Sequence, residues 1–159
     1  MIIHCTTDKH VEVPFENLVN AKLEGLDLHR AELEEVNLSG SSFKNSNLRG
    51  AFLYKANLTG CNLESTNLIT ADLRHTNLSG ANLKSCMARS ATFTNALLQS
   101  ASFEASDVDS ADFEYADLRG ANMQCFGLES ASLKNALFND DTIWPIDFVA
   151  IKHGAIKST

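Results

Sequence analysis

The chain has 159 residues, 44% of them hydrophobic but only 8% aromatic, so aliphatic side chains must build the core of a domain long enough to fold without staples. Its net charge of −7 argues against general affinity for nucleic acid. No segment reaches the roughly 18 apolar residues of a membrane span, and residues 1–10 lack the basic-then-apolar order of a secretion signal, so a soluble, cytoplasmic, reduced protein is expected.

Residues 1–15 read as an N-terminal cap. Ile2-Ile3-His4-Cys5 and Val11-Glu12-Val13 have the look of a short hairpin around a polar turn at Thr7-Asp8-Lys9. Such a cap is needed because a stack of strands exposes an unpaired edge at each end.

From residue 16 to residue 140 the chain repeats with a period of five. Every fifth residue from Leu18 to Phe138 is apolar, 25 positions in all, and only Ala88 among them is small. Two residues earlier stands a mostly small residue, and the residue just before the large one is often Asn or Asp. Ala56-Asn57-Leu58, Ala71-Asp72-Leu73, Ala81-Asn82-Leu83 and Ala116-Asp117-Leu118 show the unit cleanly. Five matches neither a helix nor a strand. It does match a coil whose five-residue sides send two side chains inward and three outward before turning a corner.

The number of sides follows from a longer stride. At 20, Asn37-Leu38-Ser39-Gly40 recurs as Asn57-Leu58-Thr59-Gly60 and Asn77-Leu78-Ser79-Gly80, while Glu24, Lys44, Glu64, Lys84 and Glu104 alternate in sign. A stride of 15 gives Glu24, Ser39, Tyr54 and Ile69, with no order. Residues 20 apart therefore read as stacked neighbours, and the coil has four sides. At the ~4.8 Å spacing of adjacent strands, the repeats make about six coils and a rod about 30 Å long.

These residues closely resemble the pentapeptide-repeat family, whose motif is A-(D/N)-L-x-x, across residues 16–140 in one unbroken phase. The resemblance implies an all-β fold, a right-handed quadrilateral parallel β-helix, here capped at both ends. Leu26, Val36 and Phe126 depart from it at small positions, and Ala88 and Val108 at large ones. Phe126 is expected to fill the volume that Ala88 and Val108 leave, in which case Phe126→Ala costs ~3–5 kcal/mol.

The core stack of Leu38, Leu58, Leu78, Leu98 and Leu118, with its counterparts on the other sides, leaves no room for a pocket. Cys61 and Cys86 stand at small positions and read as buried thiols. His4, His10, His29, His75 and His153 do not cluster, so no metal site is expected, and the Asp72/His75 pair reads as ordinary surface. Catalytic, cofactor-binding and metal-binding residues are all expected to be absent.

After Phe138 the repeat dissolves into Asn139-Asp140-Asp141-Thr142-Ile143-Trp144-Pro145. Trp144 is expected to plug the end of the core. Residues 141–159 form a C-terminal cap or, through Phe148-Val149-Ala150-Ile151, a dimer contact, which leaves both a monomer and a C-terminal homodimer open.

Function must then lie on the outer walls. Residues 41–100 carry a net charge of +4, between −5 over residues 1–40 and −6 over residues 101–159. Lys44, Arg49, Lys55, Arg74, Lys84 and Arg89 supply this basic waist, and the outward rings of Phe52 and Tyr54 lie within it. Such a rod suits an as yet unidentified protein partner with complementary patches, so a non-enzymatic protein-binding or scaffold module is expected, with neither nucleic acid nor membrane as a direct partner. Some members of the resembling family are quinolone-resistance proteins that imitate DNA in width and charge and bind DNA gyrase. The alternative is therefore a DNA mimic directed at a type II topoisomerase. The basic waist and the lack of an inserted loop count against it, because a mimic must satisfy a groove built for phosphates along its whole length.

Overall fold

Each pentapeptide is shaped by three backbone devices. The small residue donates its N–H to the carbonyl of the preceding large residue, as in Ala31 to Leu28 at 3.0 Å and Ala71 to Leu68 at 2.9 Å, closing a turn. The residue before the small one takes φ near +55 to +70°, the left-handed conformation such a corner needs, at Gly40 and Gly60 but also at Lys55, His75 and Tyr115. The Asn or Asp then folds its side chain back, so that Asn57 Oδ1 accepts the Thr59 N–H at 3.1 Å and Asn62 Oδ1 accepts that of Glu64 at 3.1 Å. This local bond is why those residue types occupy that place.

The computed structural model describes residues 1–6 and 9–158, so Thr7 and Asp8 of the turn expected at Thr7-Asp8-Lys9 lie outside the described residues. Coil joins coil in four ladders of parallel single-residue bridges. One runs through Asn37, Asn57, Asn77, Leu97, Asp117 and Leu137, and another through Glu32, Phe52, Asp72, Thr92, Asp112 and Ser132, each step one full turn of four pentapeptides. The remaining two pass through Lys22 and Asp27. Between coils, Leu58 N–H donates to the Asn77 carbonyl at 2.7 Å and Asn57 N–H to the Val36 carbonyl at 3.0 Å.

At the front, β1 (Ile2–His4) pairs antiparallel with β2 (His10–Glu12), placing Ile3 opposite Val11 and His4 opposite His10. β1 also seals the first coil, where Thr6 N–H donates to Arg30 at 3.1 Å and Glu32 N–H to His4 at 2.8 Å. At the rear, β3 (Leu137–Phe138) receives β4 (Ile156–Lys157) in parallel after the short 3-10 helix Ala150–His153.

The interior is one continuous column of buried side chains. Leu38, Leu58, Leu78, Leu98 and Leu118 are all at 0% exposure. Polar residues enter only at small positions, where each hydroxyl finds a carbonyl: Ser46 reaches Leu23 at 2.6 Å, Thr66 reaches Phe43 at 2.8 Å and Ser106 reaches Phe103 at 2.6 Å. The Cys61 thiol makes the equivalent bond to Leu38 at 2.9 Å. Ser, Thr, Cys and Ala can therefore share the position, since size is constrained and the hydrogen bond is supplied by the corner.

Two expectations need correction. The phase is not unbroken: Asp107 bridges Phe126, one place short of a full turn, and Asn122 bridges Ile143, one place beyond it. Cys125 takes the small position one place early, and Phe126 turns outward to 67% exposure. Gly127 absorbs the residue in hand at φ +83°, with the backbone nitrogen of Asp109 only 2.5 Å from where a Cβ would stand. By Ser132, which bridges Asp112, the regular register is restored. Phe126 therefore fills no interior volume. Where the side built on the Asp27 ladder narrows to Ala88 and Val108, the flanking sides widen instead to Phe93, Phe103 and Phe113, all fully buried. Phe93 and Phe113 stack at 4.9 Å, and Phe103 meets them edge-on at 5.5 and 5.6 Å. Phe103→Ala is expected to cost about 3–5 kcal/mol in urea unfolding, and Phe126→Ala to stay within about 0.5 kcal/mol.

Candidate functional site

The eight residues expected to form a partner surface are spread over three adjoining walls. Lys44 and Lys84 project from the wall built on the Lys22 ladder, Arg49 and Arg89 from the next, and Phe52, Tyr54, Lys55 and Arg74 from the third. Strand alternation places the residues before and after each buried Leu on the same outer surface.

Most of the cations in this set already hold a carboxylate. Lys44 meets Glu64 at 2.9 Å and Lys84 meets Glu104 at 2.6 Å, so the alternating row closes into pairs. Arg89 reaches Asp107 at 3.2 Å and Asp109 at 3.9 Å, and Lys55 reaches Glu35 at 3.6 Å. Arg74 grips Asp72 with two hydrogen bonds of 2.6 and 2.8 Å. Among the described residues only Arg49 of this set has no such ion pair. Several of these acids belong to the neighbouring acidic segments, so the basic waist merges into paired stripes. Each exposed pair contributes little stability but fixes where the charge sits.

The Arg74 guanidinium holds the Asp72 carboxyl below the usual carboxylate range. Because that value is depressed in the folded chain, the pair's contribution is present above about pH 4, the unfolded value, and is lost as the pH falls through the folded one.

Every cation–π contact among the described residues is made to a ring of the third wall. The Arg30 guanidinium lies 5.7 Å from the Phe52 ring centre. Tyr54 is flanked by Lys55 at 5.1 Å and Arg74 at 5.7 Å, and His75 meets it edge-on at 5.5 Å. Phe52 and Tyr54 are consequently half-buried, screened by cations and an imidazole and not by each other. Arg30 and His75 were not among the residues expected for this surface. The stride of 20 sets Arg30 over Gly50, beside Phe52, and sets His75 beneath Lys55, so both were within its reach.

The rear end is of a different character. Trp144, shifted one place by the register change, packs edge-on against Phe138 at 5.7 Å and stacks on Phe148 at 5.4 Å. A groove of about 270 Å³ runs beside these rings, lined by Phe138, Trp144, Phe148, Val149, Ile151 and Lys157. Ile146 at 91% and Ile151 at 62% exposure stand on the same end.

No described helix is long and apolar enough to cross a membrane, and no three His, Cys, Asp or Glu side chains gather as metal ligands among the described residues. All four cysteines are free and buried. Burial pushes the Cys61, Cys86 and Cys125 thiols up to about 12, which removes the thiolate that alkylation needs. A thiol-reactive dye at pH 8 is expected to label these three only after denaturant is added; labelling of the native chain would show that the coils open.

The family model described as "Pentapeptide repeat region" matches residues 36–113, and one described as "Pentapeptide repeats (8 copies)" matches residues 17–53. Together they span more than half of the chain. No curated protein matches it by sequence. Among solved structures, a pentapeptide repeat protein from Nostoc Pcc 7120 is 28% identical, with a TM-score of 0.62 over 64% of this chain and 84% of that one. QnrB1, a plasmid-mediated fluoroquinolone resistance protein, in a trypsin-treated form, is 12% identical, with a TM-score of 0.55 over 89% of this chain and 92% of that one. The architecture shared with these structures is a β-helix solenoid.

Proposed function

The chain belongs to the pentapeptide-repeat family, and on that premise we propose that it is a non-catalytic protein-binding rod, a right-handed four-sided β-helix of about six coils. Residues 1–15 close the front and residues 141–159, with Trp144 at the core, close the rear.

The observation that supports binding is the cluster of Phe52 and Tyr54 under Arg30, Lys55, Arg74 and His75. Tyrosine and arginine are the residue types that dominate protein contact energies. Here the rings sit on a rigid wall, so little is lost in ordering them. A partner that offers an apolar contact to the rings, and carboxylates to Lys55 and Arg74 here and to Arg49 on the adjoining wall, fits this surface. The exposed Ile146 and Ile151 leave the rear end open to a second copy of the chain.

Affinity capture with the full chain, compared with Tyr54→Ala and Arg74→Ala variants of unchanged far-ultraviolet circular dichroism, tests the reading. Loss of the same retained protein from both variants is the expected outcome. Equal retention by all three excludes the wall.

A second reading, interference with a type II topoisomerase, rests on the rod shape common to QnrB1 and on the acidic ends, −5 over residues 1–40 and −6 over residues 101–159. The ion-paired waist between them opposes it. Purified protein is expected to leave gyrase supercoiling unchanged at micromolar concentration. Inhibition, or relief of a quinolone block, would transfer the function to DNA mimicry.

A further inference from the structure

His4 and His10, far from the candidate wall, are brought face to face by the front hairpin. Met1 and Val13 exchange both backbone hydrogen bonds at 2.9 Å, and Cys5 N–H donates to the Lys9 carbonyl at 3.0 Å. Along an antiparallel pair, hydrogen-bonded and non-hydrogen-bonded positions alternate. Counting inward from those bonds, Ile3 with Val11 is a hydrogen-bonded pair and His4 with His10 is a non-hydrogen-bonded one. In that class the Cα atoms stand about 4.5 Å apart and the side chains approach most closely.

Both imidazoles are exposed, on the face opposite the buried Ile3, Cys5 and Val13. On the other flank of His4, Glu32 is bonded to it through the backbone and shares that outer face, and Glu12 follows two places after His10 on the same side. The neighbourhood is thus two imidazoles with a carboxylate on either side. Lys9 and Arg30 are the nearest cations in sequence and in pairing.

We propose that His4 and His10 form a two-imidazole site for a first-row divalent cation such as zinc, bridging β1 and β2 across the front cap. Imidazole nitrogen suits zinc, copper and nickel. At Zn–N bonds of about 2.0–2.1 Å, two ligands of one tetrahedron lie about 3.4 Å apart. That is within reach of two histidines on Cβ atoms about 5 Å apart. Because no third ligand side chain is gathered with them among the described residues, water fills the remaining positions, and Glu12 and Glu32 supply favourable charge. The bridge ties β2 to β1, whose His4 carbonyl accepts the Glu32 N–H as the strand covers the first coil, so bound metal stabilises the front end of the stack.

Isothermal titration of zinc into the metal-stripped full chain tests this, alongside His4→Gln, His10→Gln and His153→Gln. Wild type and His153→Gln are expected to take up one equivalent with equal affinity. The His4 and His10 variants are expected to lose about tenfold or more, since outer-shell partners alone change metal affinity by about 10–100-fold. Zinc should also raise the thermal midpoint of wild type and leave that of the His4→Gln variant unmoved. Uptake that survives in a chain carrying both His4→Gln and His10→Gln, or no uptake by wild type, overturns the proposal.

Discussion

The backbone hydrogen bonds between successive coils set the geometry of everything else. A residue such as Asn57 donates its N–H down to Val36, while the carbonyl of the same residue accepts the N–H of Leu38. The next residue, Leu58, donates upward to Asn77. These bonds enforce a translation of one whole coil, four pentapeptides, and the translation brings like positions together, Leu over Leu inside and Asn over Asn outside. A lasting slip by one place would turn every following side chain to the wrong face. That is why the slip at Cys125 is taken up almost at once by Gly127.

The corners show what this geometry overrides. Residues such as Lys55, His75 and Tyr115 occupy left-handed backbone that costs an L-residue about 1–2 kcal/mol. Against each of these three corners stands one fully buried Leu, worth about 1.5–3 kcal/mol, together with a turn bond and a bond from Asn or Asp. Burial and hydrogen bonding win over local preference at these sides. Stability then accumulates coil by coil, as in other solenoids, and the two ends, which lack a neighbour, need separate structures to cover them.

A filled interior moves chemistry to the outside, where the charge pattern matters. Pairs such as Lys44 with Glu64 and Lys84 with Glu104 follow directly from the coil-on-coil stack, and they spend most of the positive charge that a linear count assigns to the middle of the chain. What stands out afterwards is local: rings under cations on one wall, bare isoleucines at the rear, two histidines at the front.

The sequence by itself determined the stack. The apolar fifth residue, the Asn or Asp before it and the order at the longer stride are repeated so often that only one winding satisfies them all, and that winding also dictated which wall each of Lys44, Arg49 and Tyr54 would occupy. The tertiary structure alone decided where the winding yields. Around Cys125–Gly127 a side that is one place too long follows a side that is one place too short, with no net change in phase. Counting by fives passes over it, and Phe126 reads as core when it is surface. The tertiary structure also decided which cation covers which ring and that His4 faces His10. Those contacts depend on rotamers and on hairpin register, neither of which leaves a period in the chain.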